Sequence, residues 1–406
     1  MNLHLESSPE IEKEFPIEVS EPRYEIGEIF REYGPAYQAE HSLNPIQHQV
    51  ITDLGKCRTA ALGAHVDECD HCGHLEVSYN SCRNRHCPKC QGRQRVEWVD
   101  ARELELLPIE YFHFVFTLPQ KLLPWVRFNP TLMYDLLMKT AAETLQTFAE
   151  KKWGGKLGII MVLHTWGQTL NEHPHVHCIV TGGVLKHDGS DFIQAPSNYL
   201  FSVEALSRVF REKYLAGFKR AQQAGQLTRG STPQDEAEWK HRLDALYQHD
   251  WVVYAKKTCK KPEHVLRYIG RYINRVAISN HRIESIDKCH VTFHYHDNRD
   301  DQDKKMTLSA AAFIRRFLSH VLPKGFRRIR YYGFLVNSQR RQKLIQCRKL
   351  LRLVDPEKPY IADMDYHLTR LGQDMDLCPV CGQGHLHTIE LITAQHDPPE
   401  NLPQVA

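Results

Sequence analysis

No apolar run in this 406-residue sequence approaches the roughly 18–20 residues a bilayer-spanning helix needs. The opening stretch, MNLHLESSPEIEKEFPIEVSEP, is acidic and proline-containing, with neither a basic start nor an apolar core, so no secretory signal is expected and the cytoplasm is the expected compartment. A GxxxxGKS phosphate loop is missing, so any strand separation has to come from elsewhere. No repeat punctuates the chain. Net charge is small, +3, and by itself says little about partners. Cysteine, in contrast, is plentiful: twelve residues, which in a reducing compartment read as metal ligands before disulfides. With 42% hydrophobic residues the chain can bury a large core, and its length suits two or three domains.

The distribution of charge says more than its sum. One basic stretch runs from Lys256 and Lys257 through Arg267, Arg271 and Arg275 to Arg282, and another from Arg315 through Arg327, Arg328 and Arg330 to Arg352. Tyr331, Tyr332 and Phe334 interleave with the second. Cations that track phosphates beside aromatics that stack bases predict a nucleic-acid groove there.

Residues 57–92 are dense in Cys, His and Gly and poor in apolar periodicity, as where a metal replaces a core. Helices are predicted over 93–107, 131–150, 203–224, 234–249, 262–277, 310–322 and 338–353. Strands are predicted at 111–118, 157–166, 175–185, 251–254, 290–296, 305–308 and 329–336, the second and third forming an antiparallel hairpin through Gly167, Asn171 and Pro174. The pattern is α+β.

Cys69-x2-Cys72 and Cys87-x2-Cys90, fourteen residues apart, have the spacing of a tetrahedral structural zinc site. Cys57, His65, Cys82 and His86 alternate with these pairs and are candidates for a second, cross-braced site. Near the C-terminus, Cys378-Pro-Val-Cys381 is followed by His385 and His387, which could close around a zinc of their own, with a frayed tail as the competing reading.

A third constellation points to catalysis. In His175-Val176-His177 the two imidazoles share one face of a strand, and His164, eleven residues earlier on the partner strand, can supply a third, with His173 and Gln168 as alternatives. Three protein ligands leave positions open, as a catalytic ion requires. Downstream, Tyr268 and Tyr272 lie four apart, on one face of a helix, with Arg271 and Arg275 beside them to hold flanking phosphates. A phenol, with a pKa near 10, needs help as a nucleophile, and a divalent ion on a scissile phosphate provides it. In-line attack would give a 5′-phosphotyrosine and a free 3′-hydroxyl.

These residues resemble a known family. HPHVH is similar to the His-hydrophobic-His motif of HUH endonucleases, and YIGRY to their two-tyrosine helix. CDHCGHLEVSYNSCRNRHCPKCQ resembles the zinc-binding module of rolling-circle insertion-sequence transposases in that superfamily, whose text HTWGQTLNEHPHVHCIVTGG, YIGRYINRVAISNHRI and RIRYYGFL also follows. The resemblance, over roughly residues 35–385, implies a central antiparallel sheet with the histidines on a middle strand. It also implies Mg2+ or Mn2+ in the histidine site and copy-out of a single strand, one tyrosine attacking at the element's origin end and the other at its terminus or target. Its expected partners are single-stranded and hairpin-ended element DNA, target DNA and a host helicase or replication machinery, in a bacterial cytoplasm and at the nucleoid when acting.

The expected organisation is a disordered tail at 1–22, a helical and zinc-binding DNA-recognition module at 23–107, a catalytic domain at 108–337, and a basic helix with a CxxC tail at 338–406. A plasmid or phage replication initiator or a relaxase would share the chemistry. A non-enzymatic zinc-dependent DNA-binding protein and a zinc hydrolase on His164, His175 and His177 are rivals of other classes. Only the tyrosine mechanism leaves protein joined to a DNA 5′ end.

Overall fold

A computed structural model describes residues 22–91, 102, 105–196, 200–228, 235–257, 276–297, 299–353 and 377–394. Nearly all of the tail expected at 1–22, most of the helix expected at 93–107, and the segment bearing Tyr268, Arg271, Tyr272 and Arg275 lie outside the described residues.

In chain order the elements are α1 (Ile26–Glu40), α2 (Pro45–Lys56), β1 (Ala64–Cys69), β2 (Leu75–Tyr79), β3 (Tyr111–Thr117), α3 (Leu123–Phe128) and α4 (Pro130–Trp153). Then come β4 (Gly155–Trp166), β5 (Glu172–Lys186), β6 (Phe192–Gln194), α5 (Val203–Gln223), α6 (Glu236–Tyr247) and β7 (Val253–Lys257). The remainder are β8 (Ile283–Asp287), β9 (His290–Asp297), β10 (Gln302–Ser309), α7 (Ala310–Leu318), β11 (Ile329–Gly333), α8 (Arg340–Leu350) and β12 (Leu386–Ile392).

Two compact units result: one within residues 92–355, the other built from 24–91 and from the chain after 356. This division differs from the one expected at 337/338, because α8 belongs to the first unit while β12 pairs with β1 in the second.

The larger unit is organised by an antiparallel sheet in the order β11-β4-β5-β3-β7, with β6 on the far end of β5. Every residue of β3 is buried, because both faces of the sheet are covered. On one face Phe112, Phe114, Phe116, Met161, Leu163, Val176 and Cys178 pack under α4 and α5. On the other, Tyr111, Ile160, Val162 and Ile179 meet Leu106, Leu107, Phe334, and Leu344 and Cys347 of α8. Pro130 opens α4 and left-handed Gly154 (φ 64°) ends it, a start and stop visible in the sequence. A second sheet, β10-β9-β8, carries α7, with Phe293 edge-on to Phe313 at 6.0 Å.

In the smaller unit α2 begins with a capping box. Asn44 Oδ1 accepts from the amides of Ile46 and Gln47, and the Gln47 side chain returns to the Asn44 amide. Residues 57–92 hold more regular structure than their composition predicts: β1 and β2 pair, and β12 joins on the other side of β1. β11 stops at Gly333 rather than at the predicted 336. There φ is +65° and an added Cβ would lie 1.7 Å from the Leu157 carbonyl oxygen, so the chain turns away.

Candidate metal centres

The histidine cluster follows from strand register. β4 and β5 pair so that His164 lies opposite His175, and Val162 opposite His177. The alternation of side chains then puts all three imidazoles on one face, the one also carrying Val162 and Ile179. Their ligand nitrogens lie within 4.8 Å of one another, and all three rings are buried. β5 is the middle strand of the sheet, so the pair cannot shift without disturbing a neighbour on each side. Of the alternatives, His173 stands outside the cluster, and its backbone carbonyl accepts from His175.

Hydrogen bonds set the ring tautomers. His175 Nδ1–H donates to the His173 carbonyl at 2.6 Å, which leaves its Nε2 as a lone pair. That Nε2 lies 3.1 Å from His177 Nε2. Two imidazole nitrogens about 2.1 Å from one ion, at adjacent octahedral corners, are about 3.0 Å apart, so the pair fits a divalent cation. His177 Nδ1 lies 2.9 Å from Nε2 of His113, a residue of β3. If His177 offers Nε2 to an ion, its Nδ1–H donates to His113, which thereby fixes the ring. Burial pushes His175 and His177 well below the ordinary histidine range. It also lowers His113, helped by His164 and Lys256, to about 3. These rings are therefore neutral at physiological pH, as ligation requires. Sequence reading passed over His113. The signal was its place in Tyr111–Thr117, two residues from the position that pairs with His177.

The turn between β4 and β5 is held from outside. Three consecutive carbonyls accept from three side chains: Gln168 from Arg282, Thr169 from Arg316 at 2.8 Å, and Leu170 from His320 Nε2–H at 3.1 Å.

The cysteines group differently from the sequence expectation. Cys57, Cys82, Cys87 and Cys90 form one cluster, and Cys69, Cys72, Cys378 and Cys381 another. Cys69 and Cys72 do not join Cys87 and Cys90, because the β1–β2 hairpin separates them. Cys57 and Cys82 flank its base, while Cys69 ends β1 at its tip, about 17 Å away at a strand's rise per residue. Neither His65 nor His86 belongs to a cluster: His65 Nε2 sits 3.4 Å from Asp67, and the His86 amide donates to Asn84. His385 and His387 likewise stand apart. The amide of His385 donates to Asp70 at 2.8 Å, and His387 Nε2 lies 3.3 Å from the same carboxylate. In the first cluster the sulfur separations are 3.5, 3.6 and 3.7 Å for Cys57–Cys87, Cys82–Cys90 and Cys57–Cys90. Four sulfurs about 2.3 Å from a tetrahedral centre lie about 3.8 Å apart, whereas a disulfide is about 2.05 Å. The fit is to a metal.

Comparison with known proteins names the larger context. Residues 158–343 match a family model described as "Putative transposase", and residues 29–118 one described as "Transposase zinc-binding domain". The chain is 44% identical over 389 residues to "Putative transposase y4qJ" of Sinorhizobium fredii, covering 92% of this chain and 97% of that one. It is 32% identical over 361 residues to the "Transposase for insertion sequence element IS801" of Pseudomonas savastanoi pv. phaseolicola, covering 86% and 85%. The chain belongs to this family of insertion-sequence transposases. No solved structure matches it.

The transposase's zinc-binding match contains the whole Cys57–Cys90 cluster, and description and sulfur geometry together support structural zinc there. No helix among its described residues is long and apolar enough to cross a membrane. The basic face is narrower than the sequence implies. Phe334 is buried in the core and is not available to stack a base. Arg330 pairs with Asp135 and lies over Phe326 at 4.9 Å, and Arg316 is committed to the turn carbonyl. Arg327 is exposed.

Proposed function

We propose that this transposase nicks and rejoins single-stranded DNA through a covalent 5′-phosphotyrosine, in rolling-circle transposition. The observation that carries the reading is the convergence of His164, His175 and His177, buried and within 4.8 Å, on the central strand pair of the sheet. Supporting it, the named relatives include the transposase of an insertion sequence.

His164, His175 and His177 would hold a Mg2+ or Mn2+ ion. Such an ion, when bound, polarises a scissile phosphate and neutralises charge on the leaving oxygen. The chain's own part is positional. The hydrogen bonds to the His173 carbonyl and to His113 hold two rings with Nε2 facing inward, and burial keeps them unprotonated. Tyr268 or Tyr272 supplies the phenolic oxygen that bonds to phosphorus while the 3′ oxygen leaves. Phosphodiester energy is thereby kept in the protein–DNA bond, available for rejoining. Arg271 and Arg275 hold phosphates beside the tyrosines, and Arg327 extends the path for the strand. Single-stranded and hairpin-ended element DNA and target DNA are the substrates, with host enzymes separating the strands.

The test is to incubate the full chain with single-stranded DNA from the element's ends plus Mn2+, then run a denaturing gel and map any adducted peptide. A 5′-linked adduct on Tyr268 or Tyr272 is expected. Cleavage that releases a protein-free 5′ phosphate would overturn the tyrosine mechanism in favour of metal-assisted hydrolysis, and an adduct on another residue would overturn the assignment.

A further inference from the structure

The second cysteine cluster joins residues more than three hundred positions apart: Cys69 lies 3.7 Å from Cys381, and Cys72 lies 3.7 Å from Cys378. Half of it falls inside the matched zinc-binding domain, and the other half lies beyond both family matches, which end at residues 118 and 343. We propose that Cys69, Cys72, Cys378 and Cys381 bind a second structural zinc ion, which closes the amino-terminal module with the far end of the chain.

The two halves are built alike. Each is a Cys-x-x-Cys-Gly knuckle: Gly73 (φ 69°) donates its amide to the Cys69 carbonyl at 3.0 Å, and Gly382 (φ 62°) donates to the Cys378 carbonyl at 2.9 Å. In both, the left-handed glycine lets the chain reverse, so that two sulfurs face one point. Backbone amides aim at sulfur as well, Cys72 N–H to Cys69 Sγ at 3.5 Å and Gly384 N–H to Cys381 Sγ at 3.4 Å, an arrangement suited to thiolates. The sulfur separations match the roughly 3.8 Å edge of a zinc tetrathiolate and are far from a disulfide bond.

The surrounding contacts carry the two segments to each other. β12 pairs with β1 from Ala64↔Ile392 to Cys69↔Leu386, which brings the second knuckle to the end of the strand holding the first. The Asp70 amide donates to the His385 carbonyl, and the Asp70 carboxylate accepts the same residue's amide. Gly384 approaches so closely that a Cβ there would lie 2.6 Å from Cys69 Sγ. Zinc binding at this site therefore adds the closure of a very long chain loop to the fold of the module, and the catalytic residues lie within that loop in the sequence.

The decisive measurements are zinc content and thiol shielding of the full-length chain, with exposed Cys289 as the internal reference. Two zinc ions per chain are expected, falling to one in the C378S/C381S double variant. In the unaltered protein Cys69, Cys72, Cys378 and Cys381 should resist alkylation together and become reactive together on prolonged chelation, while Cys289 labels at once throughout. This second arm decides the matter even where the variant does not fold. One zinc in the unaltered chain, two zincs kept by the variant, or Cys378 and Cys381 labelling at the rate of Cys289 while Cys69 and Cys72 stay shielded would each overturn the proposal.

Discussion

His113 is a single residue whose loss separates ion binding from fold. His113→Ala leaves the inward ring of His177 without its 2.9 Å partner. Losing such a partner behind a ligand costs about 10–100-fold in metal affinity. We expect Mn2+ binding, followed by electron paramagnetic resonance, to weaken by that order, with nicking recovered at saturating Mn2+. Unchanged Mn2+ affinity would make His113 an ordinary core residue. His175→Ala and His177→Ala remove ligands outright and should abolish nicking at any Mn2+ concentration while DNA binding survives, as a mobility-shift assay can show. Tyr268→Phe and Tyr272→Phe delete one oxygen each. The double variant should form no adduct, and each single variant should lose transposition even if one still nicks. Protons act at this scale too. Burial lowers His320 to about 4, against about 6.5 for a free histidine. Between those values the unfolded chain binds a proton that the folded chain does not, so stability falls as pH drops from 6.5 towards 4, by up to about 3 kcal/mol from this residue. His320→Gln should flatten that part of a denaturant-derived stability profile, and an equally steep profile would show that other groups dominate.

At the scale of elements, the β4–β5 hairpin carries the histidine cluster on which the proposed chemistry would depend, and its turn is pinned by Arg282, Arg316 and His320. Truncating Arg316 to Ala withdraws a charged donor from a carbonyl, a change worth about 1–3 kcal/mol. Hydrogen exchange should quicken first in residues 167–171 and then at His164 and His175, and nicking should slow more than DNA binding weakens. Uniform exchange across the sheet would mean that the turn does not position the site. This hairpin was legible in the sequence: HTWGQTLNEHPHVHCIV marks its own strands by alternation and its turn by Gly167 and Asn171, and His164 does face His175. β8, β6 and β12 were not foreseen. β6 and β8 are only three and five residues long, and β12 is a strand by virtue of pairing with β1 from more than three hundred positions away.

Across the whole molecule two kinds of metal site should separate by behaviour. Brief chelation should stop nicking reversibly, since a small hard cation held by few protein ligands exchanges readily, whereas thiolate-bound zinc should leave slowly and take the order of residues 57–91 with it. Simultaneous loss of both would mean one class of site. DNA binding should weaken with salt. Arg327→Ala should reduce the logarithmic slope by about 0.7 for each phosphate it no longer neutralises on a single strand, and Arg330→Ala by less, because Asp135 already balances its charge. By itself the sequence determined the α+β class and the convergence of His164, His175 and His177, because a strand's two-residue period and a hairpin's turn are local properties. Only the tertiary structure decided which thiols share a centre. The two adjacent Cys-x-x-Cys pairs look like one site along the chain, but the hairpin between them holds them apart, and β12 delivers Cys378 and Cys381 to Cys69 and Cys72 from the other end. It also decided that Phe334 is core and that His113 stands behind His177, because both follow from packing between strands remote in sequence.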